Sequence, residues 1–208
     1  MAEIVSTEVA GFKVGLELIT GVGPQAISLI AGRGKPVFAD AKLHDIPNTV
    51  AGAAQRIAAA GARWVTVHAA GGREMMEAAV EGMGDGGVLA VSVLTSFAQE
   101  DLTATGVSID LEDQVLKLAH LAEDAGVEGL VCAPRDVAVV RNAALELTIF
   151  TPGIRMDLDS TQDQKRVGTP ADAVNAGADY LVVGRPITRA GDPAAAAREI
   201  NRSIAATT

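Results

Sequence analysis

Short β-prone runs alternate with alanine-rich stretches of helical spacing along all 208 residues, and this alternation restricts the fold more than any single motif. Strands are expected at residues 11–15, 37–41, 64–68, 88–94, 129–132, 147–151 and 180–184, each an apolar run bounded by turn residues. Helices are expected at 24–31, 48–60, 72–81, 111–125, 134–143, 170–176 and 193–205. Thr169 before Pro170 and Asp192 before Pro193 mark helix starts, because a side-chain oxygen caps the first turn and proline lacks only an N–H that has no intrahelical acceptor there. Ala60-Gly61, Ala125-Gly126 and Ala176-Gly177 read as helix stops feeding the next strand.

Strict βα alternation implies a parallel sheet with right-handed crossovers. Polar residues gather just after the strands all along the chain, which favours a TIM (β/α)8 barrel over an open sheet with one switch point. No G-x-G-x-x-G or Walker loop supports the open sheet. The composition does not break, so a single βα-barrel domain over 1–208 is expected. Only seven strands can be read where a closed barrel needs eight. Residues 2–9 read as the tail of a helix running into the first strand, so an N-terminal βα unit is expected to be missing in part.

Composition narrows the function. Hydrophobic residues make up 49% and charged residues 21%, enough apolar material for a packed core. The net charge of −9 argues against a general nucleic-acid partner, although a local Arg and Lys cluster can still hold a small anion. One cysteine, Cys132 in an apolar run, excludes an internal disulfide and a multi-cysteine metal site; it reads as a buried thiol. No apolar run approaches the ~20 residues that span a membrane. The start Met-Ala-Glu-Ile-Val-Ser lacks the features of a signal peptide, so a cytoplasmic location is expected.

Three polar clusters carry the chemistry. The first is Asp40-Ala-Lys42 with Asp45, at the end of the second strand. Asp40 and Lys42 are two apart, so strand alternation points both to one side. Lys13 ends the preceding strand, and Lys13, Asp40, Lys42 and Asp45 would form an array of alternating charge in one cleft. A structural salt bridge explains any one of these charges; four at neighbouring strand ends are costly to desolvate and point to a site. The second cluster is Thr151-Pro-Gly-Ile-Arg155, followed by a polar loop, and the third is Gly184-Arg-Pro-Ile-Thr188. Barrel phosphate sites form after the last two strands, where backbone amides at Gly184 and Arg185 with the Arg155 and Arg185 guanidiniums would hold a phosphate. His44, His68 and His120 read as structural, Trp64, Met75 and Met76 as packing, and 96–110 as a long polar loop.

These motifs, with Phe12-Lys-Val-Gly-Leu-Glu17, Val67-His-Ala-Ala-Gly-Gly72 and Leu94-Thr-Ser96, resemble orotidine 5′-phosphate decarboxylases of the bacterial type, in order across nearly the whole chain. The D-x-K-x-x-D element is shared by a wider suprafamily, whereas its combination with Lys13 and Thr-Pro-Gly-Ile-Arg is specific. The resemblance implies decarboxylation of orotidine 5′-phosphate without metal or cofactor, with Lys42 protonating the ring carbon and Asp40 and Lys13 completing the charged chain. It implies a homodimer in which Asp45 and Thr49 reach the partner's site. Thr95 would face the pyrimidine and Pro152 line its pocket, while Arg155, Gln164, Gly184 and Arg185 would hold the phosphate under a closing 156–166 loop. It also implies an aspartate on the first strand, for which this chain has no counterpart.

Two alternatives stay open. Metal-dependent sugar-phosphate decarboxylases or aldolases of the same suprafamily place an acid where this chain has Lys13, since magnesium needs oxygen ligands. A truncated, non-catalytic nucleotide-binding paralogue would also fit a chain lacking its first strand.

Overall fold

The structure, a computed structural model, describes residues 1–156 and 166–206. Among the described residues, seven strands stand where the sequence pattern puts them: β1 (Phe12–Gly15), β2 (Val37–Leu43), β3 (Trp64–His68), β4 (Gly87–Val91), β5 (Gly129–Val131), β6 (Thr148–Thr151) and β7 (Tyr180–Leu181). Hydrogen bonding orders them β1 to β7 in one sheet, and the β1–β2, β2–β3, β3–β4 and β6–β7 ladders are parallel. Sequential parallel strands separated by helices are the strand order of TIM-type α/β folds.

The helices are α1 (Ala2–Val5), α2 (Leu16–Val22), α3 (Gln25–Ala31), α4 (Pro47–Ala59), α5 (Arg73–Met83), α6 (Gln99–Ala104), α7 (Leu111–Asp124), α8 (Val137–Asn142), α9 (Pro170–Asn175), α10 (Arg185–Thr188) and α11 (Pro193–Ala205). Both expected caps form: Thr169 accepts from the Asp172 N–H at 3.1 Å and Asp192 from the Ala195 N–H at 3.0 Å. Two compact units result, Met1–Val91 with Leu121–Gly129, and Ser92–His120 with Leu130–Thr208.

In the first unit Val14, Val37 and Ala39 of β1 and β2 bury against Ala26 and Ile27 of α3. Small residues let α4 and α5 approach closely, and an added Cβ at Gly82 would sit 2.4 Å from the Ala51 carbonyl oxygen. At the start of β3, Glu128 accepts from the Trp64 indole N–H at 2.7 Å and from the Arg63 guanidinium, which also lies over the Trp64 ring. Trp64 therefore does more than pack. In the second unit Leu130, Ile149 and Ala173 are fully buried, and Phe150 stacks on Tyr180 with ring centroids 4.5 Å apart.

Several boundaries differ from expectation. The strand expected at 88–94 stops at Val91, because the carbonyls of Val93 and Leu94 accept from the Arg166 guanidinium at 2.8 and 2.9 Å instead of continuing a ladder. The strand expected at 180–184 ends at Leu181; the Val182 N–H still donates to Thr151, and Gly184 already caps α10. The stretch 96–110, expected as loop, contains α6, whose start is capped by Asp101 accepting from the Ala98 N–H at 2.8 Å. The segment 134–143 opens as a 3-10 turn, Pro134–Asp136, before α8.

Gly82→Ala tests the α4–α5 contact. Helix propensity favours alanine by about 1 kcal/mol, but the clash with backbone outweighs it. A net loss of about 1–3 kcal/mol is expected, read as a lower urea midpoint.

Candidate active site

The first unit brings Lys13, Asp40 and Lys42 together through the β1–β2 register, in which Lys13 pairs with Phe38 and Gly15 with Asp40. The Lys42 ammonium lies 2.6 Å from Asp40 Oδ1, and the Lys13 ammonium 3.1 Å from Asp40 Oδ2. Both carboxylate oxygens thus face a cation. Burial alone would raise the Asp40 pKa, but the two ammoniums outweigh it and hold the carboxyl below its ordinary range. The Lys42 side chain keeps 29% of its surface exposed, so it can meet a ligand.

Simple alternation is not what aligns Asp40 with Lys42. Between Ala39, paired with Val65, and Leu43, paired with Val67, β2 carries three residues opposite the single Thr66. Lys42 takes a left-handed backbone conformation, φ 49°, in this bulge. Such a conformation costs a non-glycine residue of order 1–3 kcal/mol and is kept only where surroundings over-determine it. Here they do: Thr66 Oγ1 accepts from the Lys42 backbone N–H at 2.9 Å and donates to Asp40 Oδ1 at 3.1 Å.

Asp45 stands apart from this trio. It is exposed, its Oδ1 accepts from the Ile46 N–H at 2.7 Å, and among the described residues it forms no ion pair. Thr49, in the first turn of α4, is exposed as well. His68 is half-buried at the end of β3, with its ring centroid 5.6 Å from that of His44. Burial, then His44 and Lys42, push its pKa down against the pull of Asp40.

The second unit holds Thr95, Pro152, Arg155, Gly184 and Arg185. Thr95 lies in the turn after β4, and its carbonyl accepts from the Arg166 N–H at 3.2 Å. After β6, Pro152 is half-buried and Gly153 takes φ 82°, a left-handed value that glycine adopts without strain. Ile154 bridges to Gly168, and the Arg155 N–H donates to the Gly168 carbonyl at 3.0 Å. Arg155 is 7% exposed, and its guanidinium donates to the Ile154 carbonyl at 2.8 Å. Gly184 is exposed, with open space where a Cβ would stand, and Arg185 beside it is half-buried. Gln164 lies outside the described residues.

Arg166 and Asp136 form a pair that the sequence did not single out. Their side chains are each 9% exposed and lie 2.5 Å apart. Burial pushes the Asp136 carboxyl up, and Arg166 pulls against it. The same guanidinium holds the Val93 and Leu94 carbonyls, so Arg166 fixes the turn that carries Thr95. Thr66 was missed too, although a threonine sharing strand parity with His68 inside Trp-Val-Thr-Val-His was a usable signal.

The chain matches the profile of the orotidine 5′-phosphate decarboxylase / HUMPS family over residues 1–200. It belongs to this family. An orotidine 5′-phosphate decarboxylase of Anaeromyxobacter sp. (strain K) is 54% identical over 201 residues, covering 96% of this chain and 88% of the relative. One from Moorella thermoacetica is 46% identical, covering 93% and 81%. Among solved structures, the orotidine 5′-phosphate decarboxylase of Lactobacillus acidophilus superposes with a TM-score of 0.82 at 35% identity, covering 92% of this chain and 85% of that one. The enzyme of Pyrococcus horikoshii OT3 gives 0.81 at 29% identity, covering 98% and 91%. The family resemblance read from Lys13, the Asp40–Asp45 element and Thr151–Arg155 is therefore correct.

The Asp40 ion pairs make stability pH-dependent with a defined sign. A folded pKa below the ordinary value of about 3.9 means the contribution is complete above that value and is lost as pH falls through the lower, folded one. The stability difference between wild type and Asp40→Asn should therefore hold constant from neutrality to about pH 5 and shrink below about pH 4, measured by urea unfolding at each pH.

Proposed function

We propose that this chain decarboxylates orotidine 5′-phosphate to uridine 5′-phosphate in pyrimidine biosynthesis, without metal or cofactor. The observation that carries the proposal is the Lys13–Asp40–Lys42 ion trio in a chain 54% identical to a relative of that name. The family profile joins two groups of enzymes, and the trio supports the decarboxylase. A divalent cation needs free carboxylate oxygens, whereas both oxygens of Asp40 already face ammoniums.

In the proposed reaction the bond between the ring carbon and the carboxyl carbon breaks, carbon dioxide leaves, and the electron pair stays on the ring carbon. No cofactor takes up that charge. An ammonium at the carbon stabilises the developing anion and then transfers a proton to it, and Lys42 is assigned this role. Asp40 orients the Lys42 ammonium through the 2.6 Å contact, and Lys13 balances the second carboxylate oxygen while reaching toward the ribose.

Arg155, Gln164, Gly184 and Arg185 are assigned to the phosphate, Thr95 and Pro152 to the pyrimidine. Gly184 supports this assignment by leaving open space beside the Arg185 backbone. Phosphate binding remote from the reacting carbon can be converted into transition-state stabilisation. Asp45 and Thr49 are assigned to the site of a second copy in a homodimer, a role that suits their exposure. No helix among the described residues is long and apolar enough to cross a membrane. A cytoplasmic enzyme with a small-molecule partner and no nucleic acid completes the proposal.

The purified chain should consume orotidine 5′-phosphate in the presence of a chelator. Lys42→Ala should remove turnover while leaving uridine 5′-phosphate binding within a few-fold; normal turnover in that variant would sink the mechanism. Arg185→Ala should raise KM by roughly 10- to 100-fold, the worth of one charge-assisted contact. An unchanged KM removes Arg185 from the phosphate site.

A further inference from the structure

Thr66 is completely buried, and it is the one residue of β3 that faces the three-residue bulge of β2. Its neighbours Val65 and Val67 pair with Ala39 and Leu43 on either side of the bulge. In the gap the Thr66 hydroxyl accepts from the Lys42 N–H at 2.9 Å. A hydroxyl has one proton to give, and this one goes to Asp40 Oδ1 at 3.1 Å. The same carboxylate oxygen receives the Lys42 ammonium at 2.6 Å. One side chain therefore closes a ring: Lys42 backbone to Thr66, Thr66 to Asp40, Asp40 to the Lys42 ammonium.

We propose that Thr66 is a positioning residue for the decarboxylation, holding Lys42 in its left-handed conformation and Asp40 in the rotamer that aims the Lys42 ammonium. This rests on the decarboxylase reading. Thr66 touches neither substrate nor reacting atoms in this role; it acts through Asp40 and Lys42. Valine has nearly the same shape but can neither accept from the Lys42 N–H nor donate to Asp40, so both part-buried groups would be left without that partner. Serine keeps the hydroxyl and loses a methyl group.

The test compares wild type, Thr66→Val and Thr66→Ser in the full chain. Thr66→Val should lose roughly 10- to 100-fold in kcat with KM for orotidine 5′-phosphate within about twofold, and Thr66→Ser should recover most of the loss. A purely structural role would lower the unfolding midpoint in both variants without separating kcat from KM. Carbon NMR of protein labelled at aspartate provides a readout independent of activity. The Asp40 carboxyl should titrate at higher pH in Thr66→Val, among the same charged and titratable neighbours: Lys13 from β1, Lys42 on β2, His68 at the end of β3 and His44 beside it. A folded Thr66→Val with wild-type kcat, or a Thr66→Ser as slow as Thr66→Val, overturns the proposal. If wild type itself fails to turn over orotidine 5′-phosphate, the decarboxylase reading falls. The Asp40 titration then decides for Thr66 alone, an unchanged titration overturning it. Should Thr66→Val not fold, Thr66→Ala carries the same comparison.

Discussion

A single carboxylate organises the first unit. Asp40 receives the ammonium of Lys13 from β1, the ammonium of Lys42 from its own strand, and the hydroxyl of Thr66 from β3. Three neighbouring strands meet at one acidic group, and the price is desolvation of a charge that would otherwise titrate upward. Two cations on separate oxygens offset that cost and leave the group ionised. Remove the acid, and two ammoniums would face each other with nothing between them; remove either lysine, and a half-buried carboxylate would be left short of a cation. The trio is thus mutually dependent.

The backbone supports this arrangement by departing from regular strand geometry. A regular β2 would give each residue one partner on β3. Instead three residues share Thr66, and Lys42 accepts a left-handed φ to do so. The strain is local and the compensation is local, through one hydroxyl and one carboxylate. The second unit uses the same strategy with a different group. Arg166 gives up a strand extension after β4 and binds the freed Val93 and Leu94 carbonyls itself, with Asp136 balancing its charge. In both units a polar side chain replaces a ladder where the strand gives way.

Much of this was legible in the sequence. Period and turn residues located all seven strands, because a buried parallel strand needs an apolar run of limited length whatever its neighbours are. The two proline-capped helix starts were legible for the same local reason. The charged cluster was legible as four residues, Lys13, Asp40, Lys42 and Asp45, of which the first three meet on β1 and β2 and Asp45 stands apart. The short helix α6 was not. It depends on Asp101 and on Gln99, which bonds to Ile109 and Leu111 across a turn, and no apolar period announces it. Nor was the early end of β4, set by an arginine more than seventy residues later.

Residue order by itself determined the alternation, the place of each strand along the chain and the family, because each is a property of runs and motifs read along one dimension. Tertiary structure alone decided how Asp40 and Lys42 meet. Strand alternation would have aligned them anyway, yet the contact is made through a bulge held by Thr66, a residue twenty-odd positions downstream that carries no motif. It likewise decided that Arg155 is buried against its own backbone while Asp45 is exposed. Burial and hydrogen-bond partners belong to the surroundings of a side chain in space. A sequence names the side chain and leaves its surroundings to the fold.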